Sequence, residues 1–114
     1  ETEFEALKFG GGYDHAFVLA DKPQTKPALA AEVHEPKSGR VMEISSNQPA
    51  VQFYGGNFLK GDTGKAGQKY EHRSGFCLET QHYPDSVNHA EFPTTILRPG
   101  ETFHSTTEYR FSVK

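Results

Sequence analysis

No stretch of this chain keeps apolar residues at the three-to-four-residue spacing of an amphipathic helix. Instead, short segments with β-branched or aromatic residues recur between Gly, Pro, Asn and Asp. This punctuation predicts strands over Ala16–Ala20, Ala28–Glu35, Arg40–Ser46, Ala50–Tyr54, Gly75–Gln81, Thr94–Leu97 and Thr102–Val113. In the last of them Phe103, Tyr109, Phe111 and Val113 alternate with His104, Glu108, Arg110 and Ser112, the pattern of one packed and one wet face. Pro36-Lys37-Ser38-Gly39 has Pro early and Gly late, so Arg40–Ser46 is expected to pair antiparallel with Ala28–Glu35. Arg98-Pro99-Gly100-Glu101 reads as a second turn, and Lys60–Arg73, rich in Gly and charge, as an exposed, mobile loop. Strands joined by turns, with no helix to cover a parallel sheet, give an all-β fold class: an antiparallel β-sandwich or a piece of one.

The core is thin. Leu, Ile, Val and Phe together number 23 of 114 residues, at the edge where disorder competes, while the net charge of −3 is too small to favour it. Burial must therefore lean on Phe and Tyr. The chain starts without Met inside a polar segment, Glu1 to Glu5, which points to part of a longer protein. Its length suits a single domain, residues 1–114, and Asp21–Pro27 is too short to divide it. No run approaches the roughly 20 apolar residues of a membrane span, and no apolar stretch near Glu1 is flanked like a signal peptide. Mild acidity without a Lys/Arg block argues against nucleic acid as a partner. The single cysteine, Cys77, forms neither an intramolecular disulfide nor a cysteine-based zinc site, and it fits a small buried residue. Compartment stays open, since exported proteins can also lack disulfides.

Three places could carry chemistry. In Gly75–Gln81, alternation sets Glu79 with Cys77 and Gln81, opposite Phe76, Leu78 and Thr80. A desolvated pocket on that face would make Glu79 a proton-transfer group; a solvated strand face is the plain alternative. Tyr13-Asp14-His15 follows Gly10-Gly11-Gly12, placing an acid and an imidazole at a loop-to-strand junction; the alternative is a turn in which Asp14 bonds nearby backbone N–H groups. In Val51-Gln52-Phe53-Tyr54, the amide of Gln52 shares a face with the Tyr54 ring, which suits a sugar as well as an ordinary sheet surface. The spacing of His82 and His89 matches no strong ligand pattern, so no metal site is expected. The glycine triplet is no phosphate loop, as it lacks both a Walker lysine and a following helix.

Taken in order, Gly12-Tyr13-Asp14-His15-Ala16-Phe17-Val18-Leu19, Ser38-Gly39-Arg40-Val41-Met42-Glu43, Gln48-Pro49-Ala50-Val51-Gln52-Phe53-Tyr54-Gly55-Gly56-Asn57-Phe58-Leu59, Gly75-Phe76-Cys77-Leu78-Glu79-Thr80-Gln81, Pro84-Asp85, Asn88-His89 and Leu97-Arg98-Pro99-Gly100-Glu101 resemble the C-terminal third of the aldose 1-epimerase, or galactose mutarotase, family. The resemblance implies that these strands belong to a larger galactose-mutarotase-like supersandwich, which agrees with the thin core. It also implies interconversion of the α and β anomers of hexoses such as galactose and glucose, with no cofactor. A carboxylate takes the C1 hydroxyl proton and a histidine protonates the ring oxygen. On this resemblance Glu79 is the general base, and Asp14 and Gln52 bind the sugar.

The departures are Ala16 where the family usually has Asn, and Pro49-Ala50-Val51 for the usual Pro-Gly-Val. The two family histidines lie in the N-terminal part, and none of the six histidines here sits in their motifs, so the chain carries the base without the general acid. The partner this implies is the N-terminal portion of the same enzyme, on a separate chain or fragment. Two further readings stand beside this one: a non-catalytic carbohydrate-binding module using the same Asp14 and Gln52, and an adhesion-like sandwich with no ligand.

Overall fold

The computed structural model describes residues 4–114. In chain order they form a short helix α1 (Glu5–Gly10) and strands β1 (Asp14–Val18), β2 (Ala28–Glu35), β3 (Arg40–Ser46), β4 (Ala50–Tyr54), β5 (Asp62–Thr63), β6 (Lys69–Tyr70), β7 (Cys77–Gln81) and β8 (Thr107–Val113). Single 3-10 turns stand at Lys65–Gly67 and Ser86–Asn88. The chain is all-β with open sheets in the orders β1-β4-β7, β2-β3-β8 and β5-β6, and every register resolved residue by residue is antiparallel. Among the described residues no helix is long and apolar enough to cross a membrane. The chain divides into two compact units, one of the residues up to Phe17 with Gln52–Glu79, the other of Val18–Val51 with Thr80–Lys114.

In the second unit β3 is the middle strand, pairing Glu35↔Arg40 at the hairpin end with β2 and Arg40↔Val113 through Ser46↔Thr107 with β8. Val41, Ile44, Ala50 and Val51 are buried, and Ile44 and Pro49 are fully enclosed. Beside them lies a buried polar corner. The Ser46 hydroxyl accepts from Gln48 N at 3.1 Å, and the Asn47 Oδ1 accepts from Thr106 N at 3.0 Å. These bonds satisfy backbone groups that the end of the ladder would otherwise strand.

The bounds of β2, β3 and β4 match those read from the sequence, whereas other expectations need correction. Thr94–Leu97 is not a strand: the Thr94 hydroxyl accepts from Ile96 N at 3.2 Å, a local turn that competes with a ladder, and prolines flank the segment. The last strand starts at Thr107 rather than Thr102 because its partner β3 ends at Ser46. The first strand lies two residues early, since Leu19 N and Ala20 N both turn to the Pro49 carbonyl at 2.8 and 3.1 Å. The alternation in β8 is kept, yet Tyr109, Phe111 and Val113 are 54%, 71% and 74% exposed, so its apolar face is not packed. Cys77 is exposed rather than buried, because β7 stands at the rim of its sheet.

Two local structures escape the pattern reading. Helix α1 is one turn and a half, too short to show a period; Glu5 in its first turn, Lys8 in its last and a left-handed Gly11 at its end favour it. Within Lys60–Arg73, β5 and β6 pair Asp62↔Tyr70 and Thr63↔Lys69. The Tyr70 hydroxyl there accepts from Lys65 N at 3.1 Å, and its ring fills the space above Gly64. The expected loop is an exposed hairpin.

Candidate functional site

The first unit brings two of the three sequence candidates into direct contact. Gln52, on the central strand β4, donates from Nε2 to the Asp14 Oδ1 on β1 at 2.9 Å. The face they occupy is fixed by what lies behind it. The Phe53 ring sits 5.4 Å from Tyr13 and 6.1 Å from Phe76, and Tyr13 lies 6.5 Å from Phe17, an aromatic layer on the opposite side of the sheet. Residues adjacent to that layer in sequence, Asp14 and Gln52, project the other way. Glu79 is three positions from Phe76, so alternation sends it to the Asp14–Gln52 side of neighbouring strand β7. Each of the three neighbouring strands thus gives a candidate side chain to one face, where the same alternation also sets Tyr54 and Gln81.

That face is open. Asp14 and Glu79 are exposed and Gln52 is half-buried, so within the described residues no enclosed pocket surrounds Glu79. Tyr54, on the Gln52 face, stacks with Phe58 at 6.3 Å and accepts from Phe58 N at 2.9 Å through its hydroxyl. A hollow of about 240 Å³ opens between Tyr54, Tyr70, Phe76 and Cys77 at the rim of the sheet, and its lining includes none of Asp14, Gln52 and Glu79. A carboxylate acceptor, an amide held by that acceptor, a second carboxylate and a ring edge give the donors, acceptors and apolar contact that a pyranose needs.

His15 does not join this group. Asp14 N donates to its Nδ1 at 2.9 Å, so the neutral ring carries its proton on Nε2, which donates to the Ala6 carbonyl at 3.1 Å. The imidazole is committed to backbone, with its ring edge-on to Tyr13 at 6.3 Å. His82 and His89 belong to the second unit. There His82 Nδ1 bonds Gln48 Oε1 at 2.8 Å, and His89 stands 3.3 Å from Asp85 and 3.2 Å from Glu91. Among the described residues no three His, Cys, Asp or Glu side chains are grouped as a metal ion requires. A cavity of about 530 Å³ lined by Gln48, His82, Phe103 and His104 contains none of the sequence candidates.

Sequence reasoning leaves two contributors unassigned, Asn57 and Arg73. Asn57 Nδ2 donates to the carbonyls of Gly10 at 3.1 Å and Tyr13 at 2.8 Å, while Arg73 Nη2 donates to the Gly11 carbonyl at 3.1 Å. The signal available was the triple glycine, whose path must be set by side chains from elsewhere.

Comparison with known proteins adds an independent finding. A family model described as aldose 1-epimerase matches residues 2–110. Galactose mutarotase of Homo sapiens is 52% identical over 103 residues, covering 90% of this chain and 30% of its own length. The galactose mutarotase of Rattus norvegicus is 50% identical over the same share. Aldose 1-epimerase of Escherichia coli (strain K12) is 42% identical over 102 residues, covering 88% of this chain and 29% of its own. The chain spans about 30% of the length of the curated relatives it matches.

Proposed function

We propose, from the premise that this chain belongs to the aldose 1-epimerase family, that it is the C-terminal portion of a mutarotase and supplies the general base and two sugar contacts. The carrying observation is the 2.9 Å bond from Gln52 to Asp14 on the face that also takes Glu79. In this reading Asp14 and Gln52 hold hydroxyls of a hexose such as galactose or glucose and set C1 against Glu79. The Glu79 carboxylate accepts the C1 hydroxyl proton while the bond from C1 to the ring oxygen breaks and that oxygen takes a proton from a general acid. Rotation about the C1–C2 bond and reclosure by the reverse steps deliver the other anomer. The proton traffic needs no cofactor.

The general acid lies outside residues 1–114 in this reading, in the portion of the family-length protein that precedes them. The exposed Tyr109, Phe111 and Val113 of β8 and the edge position of β1 support a fold that continues there, as part of a supersandwich. Polarimetry of freshly dissolved α-galactose tests the proposal. Residues 1–114 alone leave equilibration at its spontaneous rate, and adding the preceding portion accelerates it. Equilibration at an enzymatic rate by the isolated chain would refute the division of labour. Saturable galactose binding by calorimetry, with no acceleration even in the restored protein, would favour the carbohydrate-binding module instead.

A further inference from the structure

Asp14 begins β1 just after Gly10-Gly11-Gly12, a stretch with no side chain of its own to fix its path, in which Gly11 and Gly12 have φ of +63° and +136°. Its course is nevertheless determined. One amide, Asn57 Nδ2, spends its two hydrogens on the carbonyls of Gly10 and Tyr13, at 3.1 and 2.8 Å. The Tyr13 carbonyl also accepts from Gly55 N at 2.8 Å, and Arg73 Nη2 takes the Gly11 carbonyl at 3.1 Å. Arg73 is itself tied to the β4 side, its N–H donating to the Gly56 carbonyl at 3.0 Å. Gly12 packs so closely on both that a Cβ there would run into Asn57 Oδ1 and lie 2.8 Å from Arg73 Nη2.

We propose that Asn57 is a positioning residue for Asp14, with Arg73 as its auxiliary: together they clamp the glycine segment so that the Asp14 carboxylate stands against Gln52. Asn57 Oδ1 is buried without a hydrogen-bond partner. An apolar side chain of similar size would fill the same space without that desolvation cost, so space-filling does not account for an amide here. What the amide adds is its pair of donors, aimed at carbonyls on both sides of the last two glycines. The value of this placement to the sugar rests on the reading of Asp14 as a sugar contact. The clamp itself does not.

The test follows the side-chain amide of Gln52 by NMR in the nitrogen-15-labelled family-length protein, with galactose titrated in. Asn57→Asp keeps the volume and Asn57→Leu the branched outline, and both withdraw the two donors. Each moves the Gln52 amide resonances toward their positions in an Asp14→Ala reference, and galactose binds roughly tenfold more weakly. Arg73→Met, at an exposed position, moves them the same way by less. Ile44→Val, in the other unit, lowers thermal stability and leaves them in place, which separates positioning from general destabilisation. Unmoved Gln52 resonances in the Asn57 variants overturn the proposal; if those variants do not fold, unmoved resonances in Arg73→Met do so. Galactose that perturbs neither wild type nor variants refutes Asp14 as a sugar contact, while the Gln52 resonances still decide the clamp.

Discussion

The Gln52 side-chain amide donates to the Asp14 carboxylate at 2.9 Å, joining residues 38 positions apart across adjacent strands. The bond ties the two side chains together on one polar surface. Asp14→Ala removes the acceptor of this bond. In an exposed setting this costs about 0.5–1.5 kcal/mol of stability, while galactose affinity falls roughly tenfold or more through loss of a charged acceptor. Thermal unfolding and calorimetry on the same variant measure both. A double-mutant cycle with Gln52→Ala should return a coupling of about 0.5–3 kcal/mol; simple additivity would mean that the two act separately.

Glu79→Gln keeps size and removes the basic lone pair. In the family-length protein, turnover of α-galactose should fall by roughly 10²–10⁴ while sugar binding persists, as for loss of one positioned proton-transfer group. Wild-type polarimetric rates in the variant would move the base elsewhere. A Glu79 with only a surface role would instead shift stability by about 0.5 kcal/mol or less.

Strands β1 and β8 stand at sheet edges, and β8 exposes Tyr109, Phe111 and Val113. Free edges beside an apolar face favour pairing with another strand. Residues 1–114 should therefore associate, with themselves or with the preceding family portion, and size-exclusion chromatography reads this directly. A folded, soluble 12.7 kDa monomer that ignores the added portion would contradict it.

Where the sequence was legible, one local rule sufficed. Ala28–Glu35, Arg40–Ser46 and Ala50–Tyr54 have the read bounds because each is a short apolar run cut off by turn residues, and the β2–β3 hairpin follows from Gly39 with its φ of +71°. Legibility ended where partners are distant. In the order β1-β4-β7 each step skips two intervening strands, so nothing local announces that Asp14 meets Gln52. Asn57 stood inside a motif with no chemistry of its own, because its partners are backbone carbonyls. Thr94–Leu97 failed for the opposite reason: the β-branched residues fit a strand, but the Thr94 hydroxyl captures Ile96 N.

Glu35 closes the β2–β3 turn with its carboxylate. The Ser38 side chain, then the backbone N–H groups of Lys37 and Ser38, hold its pKa below the usual glutamate value, with the N–H bonds at 2.9 and 2.7 Å. A depressed folded-state pKa means that this stabilisation is present above the unfolded value and is lost as pH falls through the folded one. Acidification below the usual glutamate range should therefore lower the protection of the Gly39 amide, its exchange measured against the unprotected rate at the same pH; that amide bonds the Glu35 carbonyl at 2.9 Å. In Glu35→Gln, exchange should be faster at neutral pH, and its gap from wild type should close in acid. A constant gap would assign the turn's stability to another group.

Gly39 and Gly67 offer a matched pair for separating backbone strain from crowding. Both are left-handed, with φ of +71° and +74°. At Gly67 an added Cβ would meet nothing within 4 Å, whereas at Gly39 it would strike the Lys114 carbonyl oxygen and approach Val113 Cγ1 to 3.2 Å. Lys114 cannot easily yield, since its N–H donates to the Gly39 carbonyl at 2.8 Å and anchors the end of β8. Gly67→Ala should cost about 1 kcal/mol, the strain alone. Gly39→Ala adds displacement of backbone, so its cost should reach about 3 kcal/mol and fray the Arg40↔Val113 end of the ladder first. Thermal unfolding of both variants, with amide exchange along β8, measures the difference. Equal costs would show that Lys114 relaxes freely and that β8 is held by its pairing with β3 alone.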